Sequence, residues 1–262
     1  MKLSARHLIL ELMLASERNR LLAREAVTAC ELFAISENSV RVALARLSAD
    51  GLIAADGRGS YRLTASAMEL AGDVAGWRTA EQRLRPWQGD WLVVFTASLG
   101  RSDRTSLRRR ERALQMLGFR AWRQGLHVRP DNIEADVEAV RRRLHGLGLE
   151  TEAAVFRSRD WSPAQEAELH QLWDGPALDA GYRQRTAELD SWRARADQLA
   201  PADAARESFL LGSQAIRQVV FDPLLPAPMV DVVARATFVD AVRTFDRVGH
   251  EIWRSLYAAT DT

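Results

Sequence analysis

The residues best suited to chemistry lie between Ser36 and Arg62. In the stretch Glu37-Asn-Ser-Val-Arg-Val-Ala-Leu-Ala-Arg-Leu-Ser-Ala, apolar Val40, Leu44 and Leu47 recur at helical spacing. At about 100° per residue they form one stripe, and Asn38, Val42 and Ala45 fall opposite it with Arg41 and Arg46 on the shoulders. Such an outer face is small, hydrogen-bonding and cationic. It suits a helix lying in a major groove, where an amide or guanidinium reads base edges and a bulky or acidic face would be excluded. Ser36 is placed to cap this helix, and Ser39 lies beside it in the first turn. Downstream, Asp56-Gly57-Arg58-Gly59 has a hairpin-turn composition between Leu52-Ile-Ala54 and Ser60-Tyr-Arg-Leu63. Arg58 at the tip and Ser60 and Arg62 on the second strand are candidates to reach phosphates or the adjacent minor groove. The candidate DNA-binding set is therefore Ser36, Asn38, Ser39, Arg41, Val42, Ala45, Arg46, Arg58, Ser60 and Arg62. The competing reading is a helical module whose hairpin packs against another part of the protein.

A second concentration of charge follows. Residues 100–125 hold eight Lys/Arg against two Asp/Glu, a balance of +6 within a chain whose total is only +1, while residues 161–262 hold ten against fifteen, or −5. Arg104, Arg108 and Arg112 recur every fourth residue on one predicted helix, with Arg109 beside them. Like charges at that spacing cost an isolated helix roughly 0.2–0.5 kcal/mol per pair, so the row calls for an anion. Duplex phosphate, the phosphates of a CoA-like effector and the acidic last third are the candidates.

Catalytic signatures are missing by comparison. The five histidines are scattered, and His250-Glu251 lacks the second histidine of a zinc-protease helix. No nucleophile elbow and no phosphate-cradling glycine loop occurs. Asp246 and His250 share a helix face, which more commonly signals a hydrogen bond than a metal site. No catalytic residue, metal ligand or cofactor is assigned, and the protein is not expected to be an enzyme. The single cysteine, Cys30, precludes an internal disulfide and suits a reducing compartment. There is no 18-residue apolar run, and the first residues lack an apolar signal core, so neither a membrane partner nor a signal peptide is expected and the cytoplasm is the expected location.

The elements that would carry these residues divide the 262-residue chain, long enough for two or three compact units, into parts of different periodicity. Residues 1–65 read as helix, helix, helix, hairpin. Residues 66–86 read as a helical linker loosened by Gly72 and Gly76 and closed by Pro86. Within 87–160 the pattern is a buried strand from Trp91, a helix over Asp103–Leu117, strands over Phe119–Arg123 and Leu126–Arg129, a helix over Ile133–Leu147 and a strand over Thr151–Phe156. That order is a split βαβ, ferredoxin-like unit. Residues 161–262 show only helices, starting near Ser162-Pro163, Pro176, Pro201 and Pro228. The last helix places Phe238, Val242, Phe245, Gly249, Ile252 and Leu256 in a heptad-like seam, available to a second copy or to its own bundle, with the homodimer preferred. The eight tryptophans are expected near domain seams, as apolar glue or as the lining of an aromatic pocket.

Four motifs carry a resemblance. Ser39-Val-Arg-Val-Ala-Leu-Ala-Arg-Leu with Gly51-Leu52, then Trp87-Gln-Gly-Asp-Trp91, Leu117-Gly-Phe119 with Gly125-Leu-His-Val-Arg-Pro130, and finally Asp222-Pro-Leu-Leu-Pro226 are similar in order and spacing to the PaaX-like family, regulators of phenylacetic acid degradation. The resemblance spans nearly the whole chain. It implies an α+β multidomain protein: an N-terminal winged helix-turn-helix (1–65), a ferredoxin-like middle domain (87–160) and an all-helical effector and dimerisation domain (161–262). It also implies a transcriptional repressor of a catabolic operon that binds double-stranded operator DNA as a homodimer and is released by an aromatic or aryl-CoA effector. One departure concerns that effector. The family's Trp-Pro element after the Asp-Pro signature is replaced here by Met229-Val-Asp-Val-Val-Ala-Arg. The middle domain also resembles a CRISPR-associated nuclease fold, so a metal-dependent nuclease is the alternative. Val93-Val-Phe-Thr-Ala-Ser98 lacks the aspartate such an enzyme would place near the end of its first strand.

Overall fold

The computed structural model describes residues 3–16, 19–65, 67–68 and 76–260. The chain is an α+β protein that divides into two compact units. The first comprises Met1–Trp77, Glu188–Ile216 and Ala241–Thr262, and the second Arg78–Ala187 and Arg217–Asp240. In this division the long helices α7 (Gly175–Arg195), α8 (Pro201–Val220) and α9 (Val232–Thr260) each contribute residues to both units.

In the first unit, α1 (Ala5–Ala15), α2 (Ala23–Glu31) and α3 (Glu37–Ala49) pack together beneath a three-stranded sheet. α3 begins where Ser36 accepts the Ser39 amide at 3.4 Å. It stops at Asp50-Gly51, where Gly51 takes a φ of +69° and the Leu52 amide returns to the Leu47 carbonyl. Strands β2 (Ile53–Ala55) and β3 (Ser60–Leu63) form the expected hairpin, with Gly57 and Gly59 in the left-handed region. A strand not foreseen, β1 (Arg20–Leu22), pairs with the other edge of β3. Three residues are too few to display a period of two. The core holds Leu8, Ile9, Met13, Val40, Leu44, Leu47 and Ile53, together with Ala205 and Trp253 of the C-terminal helices.

In the second unit, β4 (Trp91–Phe95), α4 (Arg104–Met116), β5 (Arg120–Arg123), β6 (Leu126–Pro130), α5 (Val137–Gly146) and β7 (Ala154–Ser158) form an antiparallel sheet of order β5-β6-β4-β7 with its two helices. β4 is central and covered on both faces, which is why it reads as an unbroken apolar run. Leu92 and Val94 pack with Leu114, Val140 and Leu144, whereas Trp91 and Val93 meet Leu169 of α6 (Pro163–His170) and Trp173. At roughly 1.5–3 kcal/mol per fully buried large apolar side chain, this strand is a major stabiliser of the sheet.

Some expected boundaries shift, that of β7 among them, which runs over Ala154–Ser158 rather than Thr151–Phe156. α5 starts at Val137, capped by Asp136, because Ile133 instead bridges Leu84 as an isolated strand pair. The last helix begins at Val232 rather than near Pro228, with the amides of Val233 and Ala234 bound by the Asp231 carboxylate. Within the 66–86 linker, residues 76–83 form a 3-10 helix, whereas Gly72 lies outside the described residues.

Candidate functional site

The surface of α3 is sorted as its periodicity requires. Val40, Ala43, Leu44 and Leu47 are buried. Ser36, Asn38, Ser39, Arg41, Val42, Ala45 and Arg46 are exposed. Val42 is 42% exposed. One continuous face thus offers an amide, hydroxyls, two guanidiniums and a small apolar side chain. Ser36 and Ser39 share a hydroxyl contact of 3.0 Å, and Arg41 is held by Glu37 one turn earlier at 2.5 Å. The Arg41 partner was not foreseen, although the i, i+4 spacing was there to be read.

On the hairpin, Arg58 and Arg62 are exposed. Ser60 is not. It is 4% exposed, and its hydroxyl accepts from Arg20 Nη2 at 3.1 Å, so it stabilises the ribbon and is unavailable to an outside ligand. Arg20 also pairs with Asp56 at 2.9 Å, which fastens the unforeseen strand to the turn.

α4 separates its arginines by face. Arg110 is buried and bound in a forked pair to Glu150, at 3.0 and 2.5 Å, with a third bond to the Gly100 carbonyl. The Arg110 side chain holds the Glu150 carboxyl below its ordinary range. Arg104, Arg108, Arg109 and Arg112 are exposed. Arg109 lies near Asp103, whereas among the described residues Arg104, Arg108 and Arg112 have no ion-pair partner.

The third and fourth of the family-like motifs meet within the second unit. Arg129, 1% exposed, donates to the Leu117 carbonyl and to Asn132 Oδ1, and Asn132 Nδ2 donates to the Leu224 carbonyl at 2.7 Å. Burial pushes the Arg129 guanidinium below its ordinary range. The Asp222 carboxylate accepts from the Leu224 amide at 2.7 Å and from the Tyr182 hydroxyl at 2.6 Å, and burial raises its pKa. Gly118 lies directly against Pro223. The Leu117-Gly-Phe119, Gly125–Pro130 and Asp222–Pro226 motifs are thus one buried polar clasp. Its donors take the place, at these buried carbonyls, of the water that the interior excludes. Nearby, Leu84, Arg85, Trp87, Asn132, Val232 and Arg235 line a cavity of about 290 Å³, small among ligand sites. Arg235 is 4% exposed, and its Nε has no hydrogen-bond partner among the described residues.

Other sequence candidates resolve differently. The seam of α9 is consumed within the chain: Phe238 stacks on Tyr182 in the second unit, while in the first Val242 and Phe245 are 1% exposed and Trp192 lies against Phe245. These residues are not free to pair with a second copy, since a bundle already covers them. His250 binds the carbonyls of Asp246 and Ala15. Among the described residues no three His, Cys, Asp or Glu side chains are grouped to hold a metal ion. No described helix is long and apolar enough to cross a membrane.

A mixed chain of several domains, with an exposed helix face at one end and a clasped antiparallel sheet following it, belongs to the class of multidomain α+β proteins. Residues 4–67 match the PaaX-like protein family, residues 84–170 the PaaX protein central Cas2-like domain, and residues 173–255 the PaaX-like protein C-terminal domain. The chain belongs to the PaaX-like family. Its fold is similar to that of the uncharacterized protein Rv0674 from Mycobacterium tuberculosis, with a TM-score of 0.65 and 22% identity over 97% of this chain and 99% of that one. No curated protein matches the chain.

Proposed function

We propose that this protein is a homodimeric, sequence-specific transcriptional repressor that binds duplex operator DNA through α3 and is released by a small aromatic effector. The carrying observation is the outward face of α3: Asn38, Ser39, Arg41, Val42, Ala45 and Arg46 stand exposed directly above the buried stripe of Val40, Ala43, Leu44 and Leu47. In this reading α1–α3 and the β2–β3 hairpin are a winged helix-turn-helix. Asn38 and Arg41 read base edges, Val42 and Ala45 meet thymine methyls, and Arg46, Arg58 and Arg62 hold backbone phosphate. The sheet order β5-β6-β4-β7 supports a ferredoxin-like middle domain. A dimer follows from affinity, since one winged helix covers little DNA and two half-sites multiply binding. The part of the α9 seam from Phe238 to Phe245, which the chain covers itself, is not part of its interface.

For release, the effector must favour one arrangement of the paired helices by a few kcal/mol, because equal affinity for both shifts nothing. An aromatic acid and an aryl-CoA are both candidate effectors, and the open depression beside Trp87 and Arg235 is one place for the aromatic ring. The test of the main reading is selection from a random duplex pool. Enrichment of a two-fold repeated half-site is expected, and a pool without sequence preference overturns the proposal. Cleavage of the pool on adding magnesium or manganese would favour a nuclease instead.

A further inference from the structure

We infer that the Arg104–Arg108–Arg112 face of α4 holds the sugar-phosphate backbone of duplex DNA without reading its sequence. This rests on the DNA-binding reading and gives that reading a second surface. Successive members of the row are rotated by only about 40°, so the three arginines form one stripe. It points away from the face that buries Arg110, Ala113 and Leu114. The stripe extends about 12 Å along the helix. Glu111 flanks it, and Arg101, exposed just before the helix, extends it. None of Arg101, Arg104, Arg108 or Arg112 has an ion-pair partner among the described residues, while Arg110, on the opposite face, is bound by Glu150 and the Gly100 carbonyl.

The form of this charge decides its partner. A site for one phosphate or a nucleotide converges its donors in an enclosed pocket. These arginines are exposed in a line, and none of them lines the described cavity. A linear row of fixed cations matches a linear polyanion, in which charges recur every few ångströms and counterions are released on contact. A single strand would call for exposed aromatic rings on which bases stack. The helix Arg104–Met116 contains no aromatic residue, so the duplex backbone is the better match.

The experiment is fluorescence anisotropy of a labelled mixed-sequence duplex, titrated with the full chain and with the R104Q/R108Q/R112Q variant between about 50 and 200 mM salt. With three phosphates relinquished, the slope of log affinity against log salt should become shallower by roughly 2–3, while the variant melts no lower than the parent because like-charge repulsion is removed. Its base preference in the selection experiment should be unchanged. Equal slopes for parent and variant would overturn the inference and leave the α3 reading standing. If the parent binds no duplex even at the lowest salt, both readings fall. If the variant loses binding of coenzyme A, used as a probe, but keeps the full duplex slope, the row is a nucleotide-phosphate site and the inference is wrong.

Discussion

Replacing Arg41 by alanine separates recognition from folding. The Arg41 and Glu37 side chains are 74% and 53% exposed, so their 2.5 Å contact contributes only about 0.3–0.5 kcal/mol to α3. The buried stripe of the helix is untouched, and the melting temperature should scarcely move. If Arg41 instead makes a forked contact with a guanine edge, its loss costs about 1–3 kcal/mol, which is roughly a 5- to 150-fold weakening for the selected duplex. The same substitution should flatten preference at one base position of each half-site. Were Arg41 only a phosphate contact, all sequences would weaken equally. Glu37→Ala supplies a complementary measurement, because freeing the guanidinium from its carboxylate should leave affinity unchanged or raise it. The assay is a gel shift with the selected duplex and single-position variants of it, alongside thermal melting. Unchanged affinity and unchanged preference for Arg41→Ala, with the protein folded, would refute the assignment of α3 as the reading helix.

Three further outcomes concern the scaffold. Gly118→Ala places a Cβ 2.7 Å from Pro223 Cα and O at a φ of +71°, so left-handed strain and overpacking together should cost roughly 2–5 kcal/mol in denaturant unfolding. Gly51→Ala, with a φ of +69° but open space around its Cβ, should lose only about 1–2 kcal/mol, and equal losses would contradict the clasp. Arg110→Ala should destabilise by about 1.5–3 kcal/mol at neutral pH. Because Glu150 is held below its ordinary pKa in the folded protein, this contribution is full above about pH 4.5 and disappears as pH falls through the lowered value, so parent and variant stabilities should converge in acid. Cys30 is fully buried, which raises its thiol to about 11. Native protein should therefore react with Ellman's reagent only on opening, and prompt labelling would contradict this packing.

How much was legible in the sequence depended on how local the cause was. The α3 face was readable because a helix repeats every 3.6 residues whatever surrounds it, so Val40, Leu44 and Leu47 had to lie opposite Val42 and Ala45. The cap of α3 and the hairpin glycines were equally local, as was the β4 run that fills the sheet centre. Pairing across the chain was not local. Ser60 looked like a wing residue until Arg20, forty positions earlier, took its hydroxyl. The α9 seam looked available to a second copy until Tyr182 and Trp192 covered Phe238 and Phe245.

The sequence by itself determined that an amphipathic helix would present a small, cationic face, because periodicity and residue type suffice for that. Only the tertiary structure decided which cations remain without a partner. Arg110 and Arg112 sit two residues apart on one helix, yet Glu150, forty positions beyond Arg110, binds that one and leaves the other facing solvent. An ion pair is a matter of distance through space, and spacing along the chain does not contain it.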